Sequence, residues 1–166
     1  MAQARRLAER MAAESFSLVQ ASPRERARQT AEAIVGRVGT ARLEAHEALD
    51  EVDFGSWAGQ DFATLATDPL WRNWNERRSC SRPPEGEAMR EVQDRITGHI
   101  ARLAALVPIG AVVLVSHAEV IRAALLHFLG LSLDAWARLE ISPASITRVA
   151  LGAQGATVVG LNEVIG

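Results

Sequence analysis

The segment from Val112 to Arg122 constrains the fold more than any other part of the sequence. It opens with four β-favouring apolar residues, Val112 to Val115, a pattern typical of a strand that is buried on both faces. Ser116 and His117 follow, and from Val120 onward apolar residues recur at helical spacing. His117 is therefore predicted to lie where a buried strand passes into a helix. This point is the carboxyl edge of a sheet, where open α/β folds bind their ligands.

The helix predicted after His117 adds a second constraint. Its first backbone N–H groups point to the same edge of the sheet and favour an anion, so a histidine in this place is suited to meet a phosphate. Ser116 and Glu119 have the spacing of a capping box, and Gly130 is the expected end of the helix. This segment therefore predicts an anion site at a strand-to-helix junction.

Strand and helix patterns alternate along the chain, which predicts an α/β fold. An amphipathic helix precedes the first strand pattern, at Phe16–Gln20, and a long helix is predicted from Glu87 to Val107. Two strand patterns at residues 144–151 and 156–161 flank a glycine-bearing loop and predict an antiparallel hairpin. We expect a single domain over residues 1–166, built as a three-layer α/β/α sandwich whose sheet is mostly parallel with an antiparallel edge.

Composition and charge exclude several classes of protein. The formal net charge of −2 implies no broad attraction to nucleic acid or to a membrane surface. Cys80 is the only cysteine, so the chain forms no internal disulfide and no cysteine-based zinc site. No apolar run is long enough to span a bilayer. We therefore expect a cytoplasmic protein that binds neither nucleic acid nor membrane.

Three arginines lie at the start of a predicted helix, where cations are unfavourable. Ser22 is the expected cap, Pro23 suits the first helical position, and Glu25 completes a capping box. Arg24, Arg26 and Arg28 then fall in the first turns, at the positive end of the helix dipole. Such local conflicts often mark functional sites, so one hypothesis is that one of these arginines binds phosphate. The alternative is that their stems only reach out to water.

The loop between Leu49 and Gly59 combines three acids, two glycines and two aromatic residues. Apolar surroundings raise the pKa of a carboxyl group, which makes it suitable as a general acid. The alternative is a turn whose Phe54 and Trp57 simply fill the core, and both interpretations are compatible. His99 lies within the long helix and is expected to have a packing or surface role.

These features together resemble the histidine phosphatase superfamily, also called the phosphoglycerate mutase-like family. Five segments resemble motifs of that family in the right order: residues 20–31 (S-P-x-x-R-A-x-Q-T-A), 51–59 (E-x-D-F-G-x-W-E-G), 84–87 (the G-E-S stretch), 116–122 (S-H-G-G-V-I-R) and 143–147 (the closing strand). The chain departs from these motifs at four positions, Ala58, Ala88, Ala118 and Glu119. The resemblance implies a phosphoglycerate mutase-like fold.

The resemblance also implies roles for individual residues. Arg26 would bind phosphate, His117 would be the second active-site histidine and also contact the phosphate, and Glu51 would donate a proton. A member of this family acts on a phosphorylated small molecule and needs no metal or other cofactor. The short insert between Gly59 and Glu87 favours a phosphatase over a phosphomutase. The sequence leaves the substrate and the oligomeric state open.

One element of the family is absent from this sequence. The family nucleophile is a histidine in an R-H-G motif at the end of the first strand, and the chain contains no R-H-G. His46, His99 and His127 stand in unrelated contexts. We expect an N-terminally truncated domain that lacks this first strand, either because the start of the protein is misassigned or because the chain is a fragment. A short protein that has lost catalysis is the alternative.

The sequence therefore predicts a phosphomonoester hydrolase, or a phosphomutase, that acts through a phosphohistidine when it is complete. The competing hypothesis is a non-catalytic phospho-ligand binding module, or an inactive fragment, because the nucleophile is absent.

Overall fold

The computed structural model describes residues 2–106 and 110–165. Within these ranges the α-helices are α1 (Ala2–Met11), α2 (Glu25–Val38), α3 (Phe62–Thr67), α4 (Pro69–Glu76), α5 (Met89–Leu106) and α6 (Ala118–Phe128). The strands are β1 (Leu18–Ala21), β2 (Arg42–Ala45), β3 (Val112–Val115), β4 (Ile146–Gly152) and β5 (Gly155–Glu163). Three short 3-10 helices cover Glu47–Leu49, Gly55–Trp57 and Leu133–Arg138. The predicted helix end at Val107 lies outside the described residues.

The first three strands form a parallel sheet in the order β2-β1-β3. β1 is the central strand, and its last residue, Ala21, lies opposite Ala45 of β2 and Val115 of β3. The carboxyl ends of the three strands are therefore level. The segments that leave these ends, residues 22–26, 46–51 and 116–118, begin at one edge of the sheet.

Side-chain alternation along the strands separates two apolar clusters. Val19 and Ala21 of β1 pack with Val113 and Val115 of β3 against α1 and α2, whereas Leu114 packs in the cluster that contains α5 and α6. Because side chains of a strand point alternately to the two faces, the helices lie on both sides of the sheet. The predicted three-layer α/β/α arrangement is confirmed.

β4 and β5 form an antiparallel hairpin that is a separate two-stranded sheet. The mostly parallel arrangement with an antiparallel pair is therefore as predicted, but the turn is tighter. The strands meet at Gly152 and Gly155, so the loop consists of residues 153–154 rather than 152–155. No helix in the described ranges is both long and apolar enough to cross a membrane.

β3 is less buried than predicted. All four of its residues, Val112 to Val115, are only partly buried. β3 pairs with β1 along one edge, and no strand among residues 2–106 and 110–165 pairs with its other edge. β4 likewise pairs only with β5 within the same ranges. The open edge leaves the apolar side chains of β3 without the cover that a second neighbour would give.

Both predicted capping boxes are also wrong. α2 begins at Glu25 with Arg24 as its N-cap, and α6 begins at Ala118 with His117 as its N-cap, and neither cap residue makes a side-chain capping hydrogen bond. Ser116 Oγ donates to the carbonyl of Leu49 at 2.7 Å instead. The hydroxyl of Ser22 accepts from the N–H of Arg24, just before α2, at 3.2 Å, and its other contacts lie within the site described below.

Candidate active site

Adjacent parallel strands bring the predicted site residues together. Ser22 follows β1 and His117 follows β3, and the backbone N–H of Ser22 donates to the carbonyl of Val115 at 2.9 Å. Arg26 lies in the first turn of α2, and Glu51 follows the 3-10 helix after β2. The site thus lies at the carboxyl edge of the parallel sheet, as predicted from the strand patterns.

Three side chains converge at this edge. Nη2 of Arg26 lies 2.9 Å from Nδ1 of His117 and 3.0 Å from Oε2 of Glu51. The same carboxylate oxygen lies 3.4 Å from His117 Nδ1. The structure therefore places all three residues singled out by the sequence within direct contact of one another.

The three side chains differ strongly in their access to solvent. The His117 side chain is 4% exposed and that of Glu51 is 22% exposed, whereas that of Arg26 is 64% exposed. An anion arriving from solvent therefore meets Arg26 first, with the buried histidine and the half-buried carboxyl group behind it. A guanidinium in this position is able to hold two oxygens of a phosphate at once.

Burial shifts the pKa of both titratable groups away from the charged form. Burial, with a further contribution from the charge of Arg26, lowers the pKa of His117 to about 4. Burial also raises the pKa of Glu51, although the N–H of Val52 and the charge of Arg26 oppose the shift. His117 is therefore neutral at pH 7, and Glu51 holds its proton to higher pH than an exposed glutamate does.

The second nitrogen of His117 makes contacts that sequence reasoning missed. Nε2 lies 2.8 Å from the hydroxyl of Ser22, which lies 3.1 Å from Oδ1 of Asp50. Asp50 also accepts from Nε of Arg24 at 2.8 Å. Ser22 was predicted to cap a helix, and no pattern in the sequence connects Asp50 with a histidine 67 positions later in the chain. The parallel register of the strands produces these contacts.

Arg95 of α5 hydrogen-bonds to the backbone of the loop that carries Glu51. This guanidinium donates to the backbone carbonyls of Ala48 at 2.8 Å and Asp50 at 2.9 Å, and it pairs with the carboxylate of Glu87 at 2.7 Å. Hydrogen bonds from one cation to two carbonyls fix the backbone that immediately precedes Glu51. Arg95 was not predicted, since a lone arginine in a helix carries no signal of such a contact.

The same loop is joined to residues 84–87 by a close backbone approach. Gly55 has a φ of +53°, and a Cβ placed on it would lie 2.1 Å from the carbonyl oxygen of Pro84. A Cβ on Gly86 would lie 2.5 Å from the carbonyl oxygen of Asp53. The two glycines therefore allow two backbone segments to touch where any side chain would separate them.

Glu119 stands where the family motif has a glycine, and it anchors the insert that follows the loop. Its carboxylate pairs with buried Arg78 and accepts from Arg122 at 2.6 Å. The guanidinium of Arg78 lies between two indole rings, 4.1 Å from the centroid of Trp74 and 3.6 Å from that of Trp136. This cluster joins the segment after α4 to the first turn of α6, the helix whose N-cap is His117.

The other three histidines lie away from these contacts. His99 is buried, and its Nε2 lies 2.7 Å from the side-chain oxygen of Gln20. The ring of His46 packs on that of His99 with a centroid distance of 3.7 Å, and His127 is exposed in the last turn of α6. The packing role predicted for His99 agrees with these contacts. Within the described ranges, His117 is the one histidine that contacts Arg26 or Glu51.

The arrangement is suited to a phosphoryl group. It offers an exposed cation, a buried neutral imidazole and a carboxyl group whose pKa is raised by burial, which are groups suited to binding negative charge and supplying a proton. Within residues 2–106 and 110–165, no group of three or more His, Cys, Asp or Glu side chains is placed to hold a metal ion.

Comparison with known proteins agrees with this chemistry. A model of the histidine phosphatase superfamily, branch 1, matches residues 1–164. A candidate phosphoserine phosphatase of Hydrogenobacter thermophilus is 26% identical over 163 residues, which are 97% of this chain and 79% of that protein. A bifunctional protein of Mycobacterium tuberculosis is 33% identical over 152 residues, which are 88% of this chain and 40% of that protein.

A solved structure shares the fold. A mycobacterial glucosyl-3-phosphoglycerate phosphatase, in complex with VO3, superposes with a TM-score of 0.86 at 27% identity, and the match covers 98% of this chain and 84% of that one.

Proposed function

The chain belongs to the histidine phosphatase superfamily, branch 1, and on that basis we propose that it binds the phosphoryl group of a small phosphomonoester and takes part in its hydrolysis. The observation that carries the proposal is the convergence of Arg26, His117 and Glu51 within 3.4 Å at the carboxyl edge of the sheet. The related proteins named above include phosphatases of small phosphorylated metabolites, which supports this class of substrate.

Each of the three residues has a physical role in this proposal. Arg26 binds two phosphoryl oxygens, and the charge spread over those oxygens in the transition state is stabilised by the fixed cation. His117 contacts the phosphoryl group from the buried side. Glu51 gives its proton to the ester oxygen as the P–O bond breaks, so that the product leaves as an alcohol.

We propose that the nucleophile is a second histidine, carried by a strand that pairs with the open edge of β3. Its ring nitrogen forms the N–P bond as the ester P–O bond breaks, and water then cleaves the N–P bond to release phosphate. His46, His99 and His127 all lie within the described residues and none of them contacts Arg26 or Glu51. This supports a nucleophile other than these three.

The alternative function is a phospho-ligand binding module without turnover. It is favoured by the same observation, because Arg26 and His117 form an anion site with no second histidine among their described contacts. The two functions share the binding step and differ only in hydrolysis.

Binding of orthovanadate, a phosphate-shaped anion, tests the shared step by calorimetry. We expect Arg26→Ala to weaken binding by about 10- to 100-fold, the equivalent of about 1.5–3 kcal/mol for hydrogen bonds to a charged group. Arg28→Ala is the matched control, since Arg28 lies on the same helix and faces Glu32 at 3.5 Å instead of the site. Absence of binding to the unaltered chain, or equal losses in both variants, would contradict the proposal.

A further inference from the structure

The contacts of His117 determine which of its ring nitrogens carries the proton. On one side, Nδ1 lies 2.9 Å from Nη2 of Arg26. A guanidinium has only donors, so Nδ1 accepts this hydrogen bond and carries no proton. A neutral imidazole has one protonated nitrogen, and the proton therefore lies on Nε2.

Contacts on the opposite side of the ring lead to the same tautomer independently. Ser22 Oγ lies 2.8 Å from Nε2 of His117 and 3.1 Å from Oδ1 of Asp50. Burial raises the pKa of Asp50, but the hydrogen bonds from Arg24, the Glu51 N–H and Ser22 outweigh burial and hold the pKa below its usual value. An ionised carboxylate only accepts, so the single hydroxyl proton of Ser22 goes to Asp50. The hydroxyl oxygen then only accepts, from the Arg24 N–H at 3.2 Å and from His117, so its contact with Nε2 requires a proton on Nε2.

We propose that Asp50 acts through Ser22 as a positioning residue that holds His117 in its Nε2–H tautomer. Asp50 touches neither the ring nor the site of the phosphoryl group. It fixes the direction of the serine hydroxyl, and the hydroxyl fixes the imidazole. The proposal deepens the function proposed above, and it rests on that function only for the role of the free Nδ1.

The free Nδ1 faces the groups that would hold a phosphoryl oxygen. Both an unprotonated nitrogen and a phosphate oxygen are acceptors, so a hydrogen bond between them forms only after Nδ1 gains a proton. The charged groups that surround the ring belong to three parts of the fold: Arg24 and Arg26 at the start of α2, Asp50 and Glu51 in the loop, and Arg95 on α5. Anion binding at Nδ1 is thereby coupled to proton uptake by the ring.

Imidazole ¹⁵N NMR of the full chain at pH 7 tests the tautomer directly. We expect His117 to show a protonated Nε2 and an unprotonated Nδ1. Ser22→Ala removes the acceptor of the Nε2 proton, so the fraction of the Nδ1–H form should rise, with Glu51 as its acceptor at 3.4 Å, while the Arg26 donor still favours an unprotonated Nδ1. Asp50→Ala frees the hydroxyl proton of Ser22 for donation to Nε2, and we expect the same direction of change.

Two further variants separate positioning from a general effect on the fold. Asp50→Asn keeps a side-chain carbonyl that accepts from Ser22, so it should restore the Nε2–H form. Asp53→Ala is the matched control, because this exposed carboxylate lies in the same loop and accepts from the Gly55 N–H at 2.9 Å. We expect it to leave the tautomer unchanged.

An Nδ1–H or doubly protonated His117 in the unaltered chain at pH 7 would overturn the proposal. An unchanged tautomer in both Ser22→Ala and Asp50→Ala would also overturn it. The spectra require neither anion nor turnover, so a failure of this proposal is distinct from a failure to bind orthovanadate.

Discussion

At the scale of single residues, burial separates the roles of two titratable groups that lie 3.4 Å apart. The same loss of hydration makes His117 a poor proton carrier at pH 7 and makes Glu51 a better one. The pair therefore has the opposed pKa shifts by which acid and base roles are assigned in enzymes. We interpret Glu51 as the acid and His117 as a ring that is neutral at pH 7 until the anion binds.

Replacement of Glu51 by Gln tests the acid role in a chain that carries the additional R-H-G strand. The amide keeps the size of the side chain but holds no transferable proton, so hydrolysis of an alkyl phosphate should fall by about 10²- to 10⁴-fold. Hydrolysis of p-nitrophenyl phosphate should fall much less, because p-nitrophenolate leaves without a proton. Equal losses on both substrates would contradict the acid role, and Asp53→Asn serves as the control.

His99 leads to a prediction about stability and pH. Burial and the neighbouring charges of His46 and Arg102 lower the pKa of His99 to about 4, below the ordinary value of 6.5. The unfolded chain therefore binds a proton at this residue between about pH 6.5 and 4, while the folded chain does not. The stabilisation from this residue is complete above about pH 6.5 and is lost as the pH falls toward 4.

Urea unfolding of His99→Gln at pH 7 and pH 5 measures this contribution. The variant should lose less stability between the two values than the unaltered chain does, because glutamine does not titrate. His127→Gln, at an exposed position, is expected to follow the unaltered chain. A pH dependence of His99→Gln that matches the unaltered chain would show that His99 does not titrate in this way.

At the scale of elements, the position of Glu51 depends on backbone contacts that involve no catalytic side chain. Arg95 binds the loop after the 3-10 helix Glu47–Leu49. The same loop contacts the backbone of residues 84–87, and the closest approach is at Gly55. Ser56 N–H donates to the carbonyl of Pro84 at 3.0 Å and Glu87 N–H donates to that of Asp53 at 2.8 Å. A displacement of either segment moves the carboxyl group away from Arg26.

A pair of glycine substitutions separates close approach from backbone conformation. Gly55 and Gly59 both have positive φ, +53° and +79°, but only a Cβ on Gly55 would meet neighbouring atoms within 4 Å. Both alanine variants carry the conformational cost, and Gly55→Ala carries the clash with Pro84 in addition. We expect Gly55→Ala to be less stable than Gly59→Ala by about 1–3 kcal/mol in urea unfolding. Equal stabilities would show that the segments separate without cost.

The sequence predicts features that depend on residues close together in the chain, and it does not predict contacts between distant segments. The strand β3 and the helix after it follow from local apolar patterns, and the resemblance to family motifs singled out Arg26, Glu51 and His117. Ser22 and Ser116 were assigned to helix caps by an equally local pattern, but their hydroxyls bind Asp50 and Leu49. Those partners follow β2, and they become neighbours of the two serines only when β1, β2 and β3 align in parallel. Spacing along one chain does not encode that alignment.

At the scale of the whole molecule, the two edges of β3 differ in what lies beside His117. On one side, His117 contacts Arg26 and Ser22, which follow the paired strand β1. Ser22 in turn contacts Asp50, which follows β2. On the other side lies the edge of β3 that pairs with no strand among residues 2–106 and 110–165. A strand added at this edge would bring its carboxyl end level with His117, where the proposed nucleophile is required.

Hydrolysis of p-nitrophenyl phosphate in the presence of EDTA tests the proposed division of the site most directly. The 166-residue chain is compared with the same chain extended by a family R-H-G strand and with the His117→Ala variant of the extended chain. We predict no hydrolysis by the 166-residue chain, metal-independent hydrolysis by the extended chain, and loss of that activity in His117→Ala. Hydrolysis by the 166-residue chain itself, or an extended chain that stays inactive while it binds orthovanadate, would contradict the proposed phosphohistidine mechanism.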